Sequence, residues 1–461
     1  MKTQIYSSII TLTGVALSAN VAYAQTYQPS NRIPVADNTL GTQVSGSSNN
    51  FNVTGGLSRG QNLFHSFQDF SVPTNGSVTF TNPVGNQSII TRVTGNLFSD
   101  INGKVSTNGA NFFLINPNGI VFGNNVQLNV GKSFVGSTAN GIDLVDAQGK
   151  AYIFGTKNIN DTPLLTINPN VFLNVSRLNM GVIVNKGIEN YGNLETINQS
   201  QYIGLIGGNI NFNGGKVNAP GGRVELGGLS APGTVGLGTE GNMLRAQFPS
   251  DVGRGDISLN NLSRVLVAGS EAGDIAISAR NLELSSGSVI SGGIKEGLGT
   301  PQAVGGDIKI NAMGEMSLIG VDTAIANQVR LDSKGNAGDI TVEAASLSLQ
   351  DYAGITASTL GTGNSGDINV KVNSLSLKNG GGITASTVGN GNAGNVTVTA
   401  KGAILQSGII SNISSNVEKS GVGNGGDVRI NAGSLTIQDG DRKSTRLNSS
   451  HRNTSRMPSS A

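Results

Sequence analysis

The sequence predicts an all-β protein folded as a right-handed parallel β-helix, a solenoid in which each turn of the chain stacks its strands on the previous turn. Its 461 residues include 67 glycines but only 13% charged residues, with many β-branched and short polar side chains. This composition favours sheet with frequent turns over helix or disorder. A Gly-Asp pair also recurs through the second half of the chain, and apolar residues alternate within each repeat. These three observations together predict the solenoid.

The Gly-Asp repeats share one pattern of apolar residues. Counted from the aspartate, apolar side chains occupy offsets +1, +3, +5, +8 and +10, as they do after Asp339 and Asp367. Alternation by two places the first three on one face of a strand, and the three-residue step predicts a corner before a second strand. The phrase Gly-Ile-Thr-Ala-Ser-Thr recurs at 354–359 and 382–387 and predicts a third strand.

The repeats fall at spacings of 18, 33, 32, 28, 28 and 32 residues, and most of these lie in the range of solenoid repeats. The period-two pattern excludes helical repeats, and its one-way order fits a propeller poorly. We therefore predict β-helix repeats of about 28–33 residues over residues 246–440. The recurring pairs are Gly255-Asp256, Gly273-Asp274, Gly306-Asp307, Gly338-Asp339, Gly366-Asp367 and Gly426-Asp427, with Gly394-Asn395 as a variant.

The first residues have the features of a secretory signal peptide. Lys2 supplies a positive charge, residues 9–17 form an apolar core, and Ala22-Tyr23-Ala24 is a small-x-small cleavage site. We expect a cleaved signal helix over residues 1–24, with cleavage between Ala24 and Gln25. No later apolar run reaches the roughly 20 residues of a membrane-spanning helix, so we expect an exported chain without stable membrane insertion.

The most informative turn in the sequence lies between two apolar runs. Residues 112–115 and 120–122 flank the tetrapeptide Asn116-Pro117-Asn118-Gly119. In a tight turn of this composition the first asparagine accepts a local hydrogen bond and the proline fixes φ of the second residue. The glycine relieves backbone strain at the fourth position. The segment is therefore predicted to be strand, turn, strand.

Further motifs accompany this turn in a fixed order. They are NLFHSF at 62–67, RVTG at 92–95 and, after the turn, VGKSF at 130–134. In this order and spacing they resemble the amino-terminal secretion domain of filamentous haemagglutinin-type proteins, which are the passengers of two-partner secretion systems. The resemblance is strong over residues 27–150, and weaker phrases carry it to about residue 240.

One departure from the family pattern lies between these motifs. A second NPN-type motif described for the family is only half present, because Asn82-Pro83 continues with Val84-Gly85. Another NPN occurs at Asn168-Pro169-Asn170, downstream of the first, and we assign it no role.

The resemblance implies a domain layout and a partner. It implies a β-helical secretion domain over residues 25–245, recognised by an outer-membrane transporter with a pore-forming barrel and periplasmic docking modules. The passenger would cross the periplasm of a Gram-negative-type bacterium and reach the medium or the cell surface, as an adhesin-like protein with an unknown surface ligand. The candidate site residues are the secretion motif Asn116, Pro117, Asn118, Gly119 and Ile120, and the domain signature Asn62, Leu63, Phe64, His65, Phe67 and Arg92.

The charge distribution argues against nucleic acid as a partner. The formal net charge is +2, but five of the 30 basic residues lie in the last twenty positions and a sixth, Lys2, lies in the signal segment. The remaining 24 bases face 28 acids, so the body of the chain is slightly acidic and has no basic stripe. The bases near the end are Arg442, Lys443, Arg446, Arg452 and Arg456. The absence of cysteine suits both a passenger that threads a narrow pore and a large solenoid that needs no disulfide.

The sequence offers little material for catalysis. With the tail set aside, His65 is the one histidine, and neither a Gly-x-Ser-x-Gly elbow nor a histidine-containing metal motif occurs. We therefore predict no catalytic, cofactor-binding or metal-binding residues, and we interpret His65 as a packed structural side chain. A β-helix enzyme acting on polysaccharide is the alternative, because a fold does not fix a function.

The repeated aspartates allow two interpretations. Aspartates stacked on consecutive coils would lie roughly 4.8 Å apart, close enough to share calcium. Alternatively, Gly-Asp before a strand is a turn in which the aspartate bonds nearby backbone donors. The repeats lack the glycine-rich nonapeptide of calcium-binding β-rolls, which favours the turn.

Residues 441–461 break the repeat pattern. They are basic and aperiodic, and they replace the third strand that the unit beginning at Gly426 should reach. The segment looks like translated adapter sequence, so we predict a non-native tail, with a natural basic disordered tail as the alternative. If the tail is non-native, the native chain is longer, and an effector or anchoring domain beyond residue 440 is a further alternative.

Overall fold

The computed structural model describes residues 27–82, 87–131, 133–145, 151–155, 174–180, 187–195, 202–240, 243–271, 273–408 and 410–438. The regular secondary structure in these ranges is β-strand throughout, which confirms the predicted all-β class. Nothing in the same ranges forms a helix long and apolar enough to cross a membrane. Four predictions fall outside them: the signal helix with Ala24 and Gln25, Pro83 of the half motif, the motif at 168–170 and the tail at 441–461.

The strands are numbered in chain order. Before the first insertion they are β1 (Val35–Ala36), β2 (Thr42–Ser47), β3 (Asn50–Gly55), β4 (Leu57–Arg59), β5 (Asn62–Asp69), β6 (Ser77–Phe80), β7 (Ser88–Val93), β8 (Ser99–Ile101), β9 (Lys104–Ser106), β10 (Asn111–Ile115), β11 (Ile120–Phe122), β12 (Gln127–Asn129) and β13 (Ser133–Ser137). The middle of the chain has β14 (Gly141–Val145), β15 (Ala151–Gly155), β16 (Asn174–Met180), β17 (Ile188–Asn190), β18 (Asn193–Glu195), β19 (Tyr202–Gly207), β20 (Ile210–Asn213), β21 (Lys216–Asn218), β22 (Arg223–Gly228), β23 (Gly233–Glu240) and β24 (Met243–Gln247).

The carboxyl-terminal strands belong to the repeats. They are β25 (Ile257–Asn260), β26 (Arg264–Leu266), β27 (Asp274–Ala279), β28 (Leu282–Ser285), β29 (Val289–Ile294), β30 (Ile308–Ile319), β31 (Ala324–Val329), β32 (Ile340–Gln350), β33 (Gly354–Thr359), β34 (Ile368–Lys378), β35 (Gly382–Thr387), β36 (Val396–Ser407), β37 (Asn412–Val417) and β38 (Val428–Gln438).

Most strands stack into three parallel faces, which confirms the parallel β-helix. The first face runs through β5, β7, β10, β13, β19, β22 and β27 and continues in the first halves of the long repeat strands. The second face runs through β8, β11, β17, β20, β25 and β28 and continues in the second halves of the long repeat strands. The third holds β3, β6, β9 and β12, then β18 and its successors up to β37. One continuous apolar core, from Phe51 to Ile413, fills the interior.

A separate antiparallel sheet covers the outer side of the first face. It contains β15, β14, β16, β23 and β24, which come from two insertions, one after β13 and one after β22. A second apolar core lies beneath it and includes Phe64, Ile90, Phe113, Phe154 and Tyr202. Because the first-face strands are covered on both sides here, β13, β19 and β22 are buried at every residue and show no alternation of buried and exposed positions.

The repeats follow the predicted offsets. In β34 the inward residues Ile368, Val370, Val372, Leu375 and Leu377 are buried, and the three-residue step lies at the corner between two faces. From β30 onward the strands on either side of that corner are continuous and span 11 or 12 residues. The coils therefore stack with equivalent residues in register, which gives the core its repeated aliphatic rows.

One Gly-Asp pair does not belong to the stacked series. Asp274 opens β27 on the first face, where β27 pairs with β30. Asp256 instead precedes β25 on the second face, where β25 pairs with β28. The 18-residue spacing is therefore the distance between two corners of a coil and not a short repeat.

Antiparallel strands close the amino-terminal end of the solenoid. Strands β2 and β3 form a hairpin, β4 pairs with the start of β5, and β1 pairs with the end of β5. This pairing covers edges that the first coil would otherwise present to solvent.

Candidate secretion site

The tetrapeptide at residues 116–119 forms the turn that its composition predicts. Oδ1 of Asn116 accepts the N–H of Asn118 at 2.9 Å, and the backbone oxygen of Asn116 accepts the N–H of Gly119 at 3.1 Å. Gly119 has a φ of +106°, in the left-handed region that favours glycine. Pro117 occupies the second position, where its fixed φ suits the turn. The composition of the motif thus has a conformational cause.

The side-chain amides of this turn also hold the coil before it. Nδ2 of Asn116 donates to the carbonyl oxygen of Leu97 and to Oγ of Ser99, both at 3.0 Å. Nδ2 of Asn118 donates to the carbonyl oxygen of Gly95 at 2.6 Å. Residues 95–99, here called the 95–99 corner, connect β7 to β8. The turn therefore braces the equivalent corner of the preceding coil.

The motif is largely inaccessible in the folded chain. Asn116 and Ile120 have no exposed surface, Pro117 and Gly119 are buried, and Asn118 is half-buried. A partner that meets the folded domain therefore does not touch most of these side chains. The side chains of Asn116 and Asn118 hold the backbone of the turn and of the 95–99 corner in place.

The signature residues at 62–67 occupy β5, where the first coil begins. Leu63 and Phe67 point into the main core, and Phe64 points into the outer core beneath the antiparallel sheet. Asn62 opens the strand and is buried. The run has apolar residues on both sides of the strand because both sides are covered.

His65 is enclosed by aromatic rings on the inner side of β5. Its ring centroid lies 5.3 Å from that of Phe80 and 6.2 Å from that of Phe67, and its Nδ1 lies 3.2 Å from Oγ1 of Thr42. The side chain is fully buried, and among the described residues its Nε2 has no hydrogen-bond partner. Burial lowers the pKa of His65 to about 4, so the ring is neutral at neutral pH. This environment agrees with the structural interpretation of the histidine.

Arg92 joins the solenoid to the outer sheet. Its Nε donates to Oγ of Ser66 at 2.9 Å, and its Nη1 donates to the carbonyl oxygen of Gly155 at 2.6 Å. The guanidinium also lies 4.5 Å from the ring centroid of Phe154. Because Phe154 and Gly155 belong to β15, one buried cation holds an edge strand of the antiparallel sheet.

The sequence motifs did not reveal the acid that organises this region. Asp37 accepts the Oγ hydrogen of Ser66 at 2.5 Å, the Oγ1 hydrogen of Thr94 at 2.8 Å and the N–H of Thr39 at 3.0 Å. Although burial opposes it, these hydrogen bonds lower the pKa of Asp37. A single aspartate in a loop belongs to no periodic pattern that would identify it. Only its partners Ser66 and Thr94 lie in recognised motifs, NLFHSF and RVTG.

Residues 27–36, here called the amino-terminal strap, are fastened beside the 95–99 corner. The hydroxyl of Tyr27 donates to Asp100, and the backbone N–H of Ser30 donates to the same carboxylate at 2.5 Å. The ring of Tyr27 stacks on that of Tyr191 with centroids 4.9 Å apart. The start of the strap thus spans several coils.

Arg32 fixes the middle of the strap. One guanidinium nitrogen donates to the carbonyl oxygen of Phe98 at 2.7 Å, and the guanidinium lies 4.5 Å from the Phe98 ring centroid. Another nitrogen pairs with Asp69 at 3.1 Å. None of these strap contacts follows a periodic pattern, so they could not be predicted from the sequence.

A buried ionic cluster marks the second insertion. Glu225 accepts Nε of Arg223 at 2.7 Å, the hydroxyl of Tyr202 at 2.8 Å and the N–H of Ala246 at 2.5 Å. Arg223 also pairs with Asp274 at 3.1 Å. Since Ala246 lies in β24, the cluster ties the other edge of the outer sheet to the solenoid. Arg223 and Glu225 lie in the phrase APGGRVEL, which was the available sequence signal.

The repeated aspartates form a ladder along the solenoid. In each step a side-chain Oδ1 accepts the backbone N–H of the equivalent residue one coil later. The steps run from Asp274 to Asp307 at 2.9 Å, to Asp339 at 3.0 Å, to Asp367 at 2.8 Å, to Asn395 at 2.7 Å and to Asp427 at 2.9 Å. Within the described ranges no group of three or more acidic or histidine side chains is placed to hold a metal ion. The aspartates therefore stack on consecutive coils, as the first interpretation assumes, and each accepts a backbone N–H, as the second expects, although that N–H belongs to the next coil and not to a local turn.

Comparison with known proteins identifies the family. A family model described as the TPS secretion domain matches residues 34–277. The chain belongs to this family. It is therefore a two-partner secretion passenger, a secreted protein whose export implies a partner transporter in the outer membrane. The match extends past the boundary predicted at residue 245 and into β27, and the domain limits remain a prediction.

Solved structures support the fold of this passenger. The crystal structure of the HMW1 secretion domain from Haemophilus influenzae is similar at 17% identity, with 88% of this chain and 98% of that chain covered and a TM-score of 0.51. The filamentous hemagglutinin secretion domain aligns at 13% identity over 88% and 99% of the two chains, with a TM-score of 0.34. At these identities the first likeness supports the fold alone, and nothing is built on the second. A search of curated proteins found no match.

Proposed function

We propose that this two-partner secretion passenger is an adhesin-like protein, released from or displayed on a Gram-negative-type bacterium after crossing the periplasm. Its amino-terminal domain is recognised by periplasmic docking modules of the transporter, and the chain then passes through the transporter barrel. The observation that carries the proposal is the secretion-domain match over 34–277, followed by a solenoid that continues to residue 438. Each coil contacts only its neighbours, so folding can start at one end and propagate as the chain emerges.

The proposal divides the mature chain into two working parts. Residues 25–245 carry the information for export, and residues 246–440, here called the shaft, hold a binding surface away from the cell. The shaft fits this role because the outward positions of its strands β30, β32 and β34 carry mostly polar side chains that are half-buried or exposed. The proposal includes no catalytic step, no cofactor and no nucleic-acid partner.

The candidate site residues act on export by shaping the domain. Asn116 to Ile120 brace two successive corners, the signature strand fills both apolar cores, and Arg92 holds the outer sheet. Their burial supports this conformational role over direct contact with the transporter.

Transporter-dependent release tests the proposed function. The full chain is expressed in a Gram-negative host with and without its transporter, and culture medium and periplasm are assayed for protease-resistant protein. We expect release into the medium only when the transporter is present. Retention in the periplasm in its presence would contradict the proposal and leave the β-helix as an independent module.

A double substitution tests the motif. Asn116→Ala with Asn118→Ala removes the four side-chain hydrogen bonds described above, so we expect less exported protein at equal synthesis. Asn364→Ala with Asn392→Ala is the matched control, because these asparagines accept equivalent backbone N–H groups within the shaft. Equal export of the two double variants would remove the motif from the proposal.

A further inference from the structure

The buried motif and the amino-terminal strap meet at one structural element. The 95–99 corner receives three side-chain hydrogen bonds from Asn116 and Asn118 on its inner side. On its outer side the same corner offers the ring and carbonyl oxygen of Phe98 to Arg32. Asp100, which holds Tyr27 and Ser30, follows Ser99 by one residue. The motif therefore lies directly beneath the docking site of the strap, which comprises the 95–99 corner with Asp100 and is here called its seat.

The strap depends on this seat because it has little structure of its own. Residues 27–34 form no strand, and β1 comprises only Val35 and Ala36. An extended segment of this kind loses backbone entropy on docking, at about 1–2 kcal/mol per residue, so its contacts must offset that cost. Residues 27–32 make most of their contacts outside the strap with Phe98 and Asp100 and the others with Asp69 and Tyr191, and β1 pairs with the end of β5.

The motif also fixes the residue between the two anchors. Ser99 accepts Nδ2 of Asn116 at 3.0 Å, and its backbone N–H donates to the carbonyl oxygen of Gly119 at 3.0 Å. Phe98 and Asp100 flank Ser99 on either side, so their positions follow from these two bonds. Loss of the turn would therefore displace both strap anchors together.

We propose that Asn116 and Asn118 are positioning residues that hold the 95–99 corner as the seat of the amino-terminal strap. Closure of the strap completes the amino-terminal end of the solenoid, because β1 then pairs with β5 and covers its edge at Phe67 and Asp69. The motif thus acts on a segment about 80 residues before it in the chain. The consequence for export rests on the proposed function, whereas strap position can be measured without a transporter.

Trypsin cleavage after Arg32 reports strap closure. In the closed strap the Arg32 side chain is only 23% exposed and has three partners, so the bond to Ile33 is protected. The full chain is treated briefly with trypsin, and the rate at which a product beginning at Ile33 forms is measured by mass spectrometry. Asn116→Ala with Asn118→Ala should raise this rate at least about tenfold, because it removes four side-chain hydrogen bonds that each contribute net stability.

Two further variants separate positioning from a general loss of stability. Asp100→Asn removes the charge that binds Tyr27 and Ser30 but leaves the turn intact, so it should also expose the bond after Arg32. Combined with the double substitution it should add little, because the strap is already open. Asn118→Ala alone, which loses the bond to Gly95, is the milder variant if the double substitution prevents folding. Asn364→Ala with Asn392→Ala should leave cleavage after Arg32 unchanged.

The outcomes decide the proposal without reference to export. Faster cleavage after Arg32, with Arg223 still protected in its buried cluster and with no added effect of Asp100→Asn, would establish the seat. An unchanged rate in both turn variants, or multiplied effects of the turn and Asp100 substitutions, would overturn it. If the seat is established and transporter-dependent release fails, the proposed function is at fault and the strap assignment stands.

Discussion

The secretion domain and the shaft use the same coil but bury different sides of it. First-face strands such as β19 and β22 are buried at every residue, whereas β32 and β34 bury one side and leave much of the other accessible. The cause is the outer antiparallel sheet, which covers the first face up to β22. A coil position therefore determines the direction of a side chain, while the exposure of that side chain depends on whether an insertion covers it.

The two regions also satisfy their polar groups differently. The secretion domain contains many contacts that occur once, such as Asp37 with Ser66, Arg92 with Gly155, or Asn116 with Ser99. The shaft repeats one contact from coil to coil, in which a carboxylate or carboxamide accepts the next backbone N–H. A single substitution should therefore cost more in the secretion domain than at an equivalent place in the shaft.

The largest expected difference concerns outward-facing residues of the first face. Ile90→Ala should cost about 2–5 kcal/mol, because Ile90 is fully buried in the outer core. Thr341→Ala, at an outward position of β32, should change stability by no more than about 0.5 kcal/mol. Hydrogen exchange of each strand's amides measures the two effects separately. Equal costs would show that the outer sheet does not protect the first face.

Acid should weaken the secretion domain before the shaft. The pKa of His65 is about 4 in the folded state and roughly 6.5 in the unfolded state, so the unfolded state binds more protons between these values. Stability is therefore lost as the pH falls from 6.5 to 4, by about 3 kcal/mol in total. The protection factor of the Phe64 amide, which is the intrinsic exchange rate at each pH divided by the observed rate, should fall over this window, while that of Leu375 in the shaft should not. His65→Gln should remove the difference, and a parallel fall of the protection factor at both amides would refute the assignment.

Substitution at a strained turn in the shaft should raise stability, whereas the changes described above lower it. Tyr352 has a φ of +68° and is 60% exposed, whereas the equivalent turn one coil later has Gly380 at +83°. Tyr352→Gly should raise the unfolding free energy by about 1 kcal/mol, because the left-handed backbone penalises a side chain. Gly380→Ala is the control and should destabilise, since its Cβ would lie 2.9 Å from the Tyr352 ring. A destabilising Tyr352→Gly would show that the ring packs against its neighbours strongly enough to outweigh the strain.

The smallest expected effect on stability concerns Asp339, one of the residues of the aspartate ladder. Partial burial raises the pKa of Asp339, and the charges of Asp307 and Asp367 raise it further. The hydrogen bond from the N–H of Asp367 lowers this pKa but does not cancel the rise. A raised folded-state pKa gives stability that is present below the ordinary value near 3.8 and lost as the pH rises through the folded value. Asp339→Asn keeps the acceptor oxygen, as Asn395 does naturally, and should slightly stabilise the shaft at pH 7. Urea unfolding at pH 7 and pH 3 checks this, and a stabilisation that persists at pH 3 would contradict it.

Sequence reasoning succeeded where one physical signal dominates. Period-two alternation with a three-residue step predicted the two strands and the corner of each shaft coil, because exposure there follows direction alone. The turn at Asn116 was predictable because its residues each have a local conformational role. The family resemblance located β5 and Arg92 but not what they contact.

The rest required three-dimensional placement. Asp37, Asp100 and Glu225 bind residues distant in sequence or outside any repeat, so no spacing pointed to them. The outer sheet comes from two insertions whose strands pair across long separations, which local patterns do not encode. Gly255-Asp256 was grouped with the repeats because the dipeptide is the same, although it lies at another corner.

We propose that the secretion domain, and not the shaft, carries the information for export, and two reporter fusions test this. One fusion carries residues 1–280, which include the matched domain, and the other carries residues 1–26 followed by shaft residues 257–438; both end in the same reporter. With the transporter present, we expect release of the first fusion into the medium and periplasmic retention of the second. Equal release of both fusions would contradict it, because the shaft would then suffice for recognition.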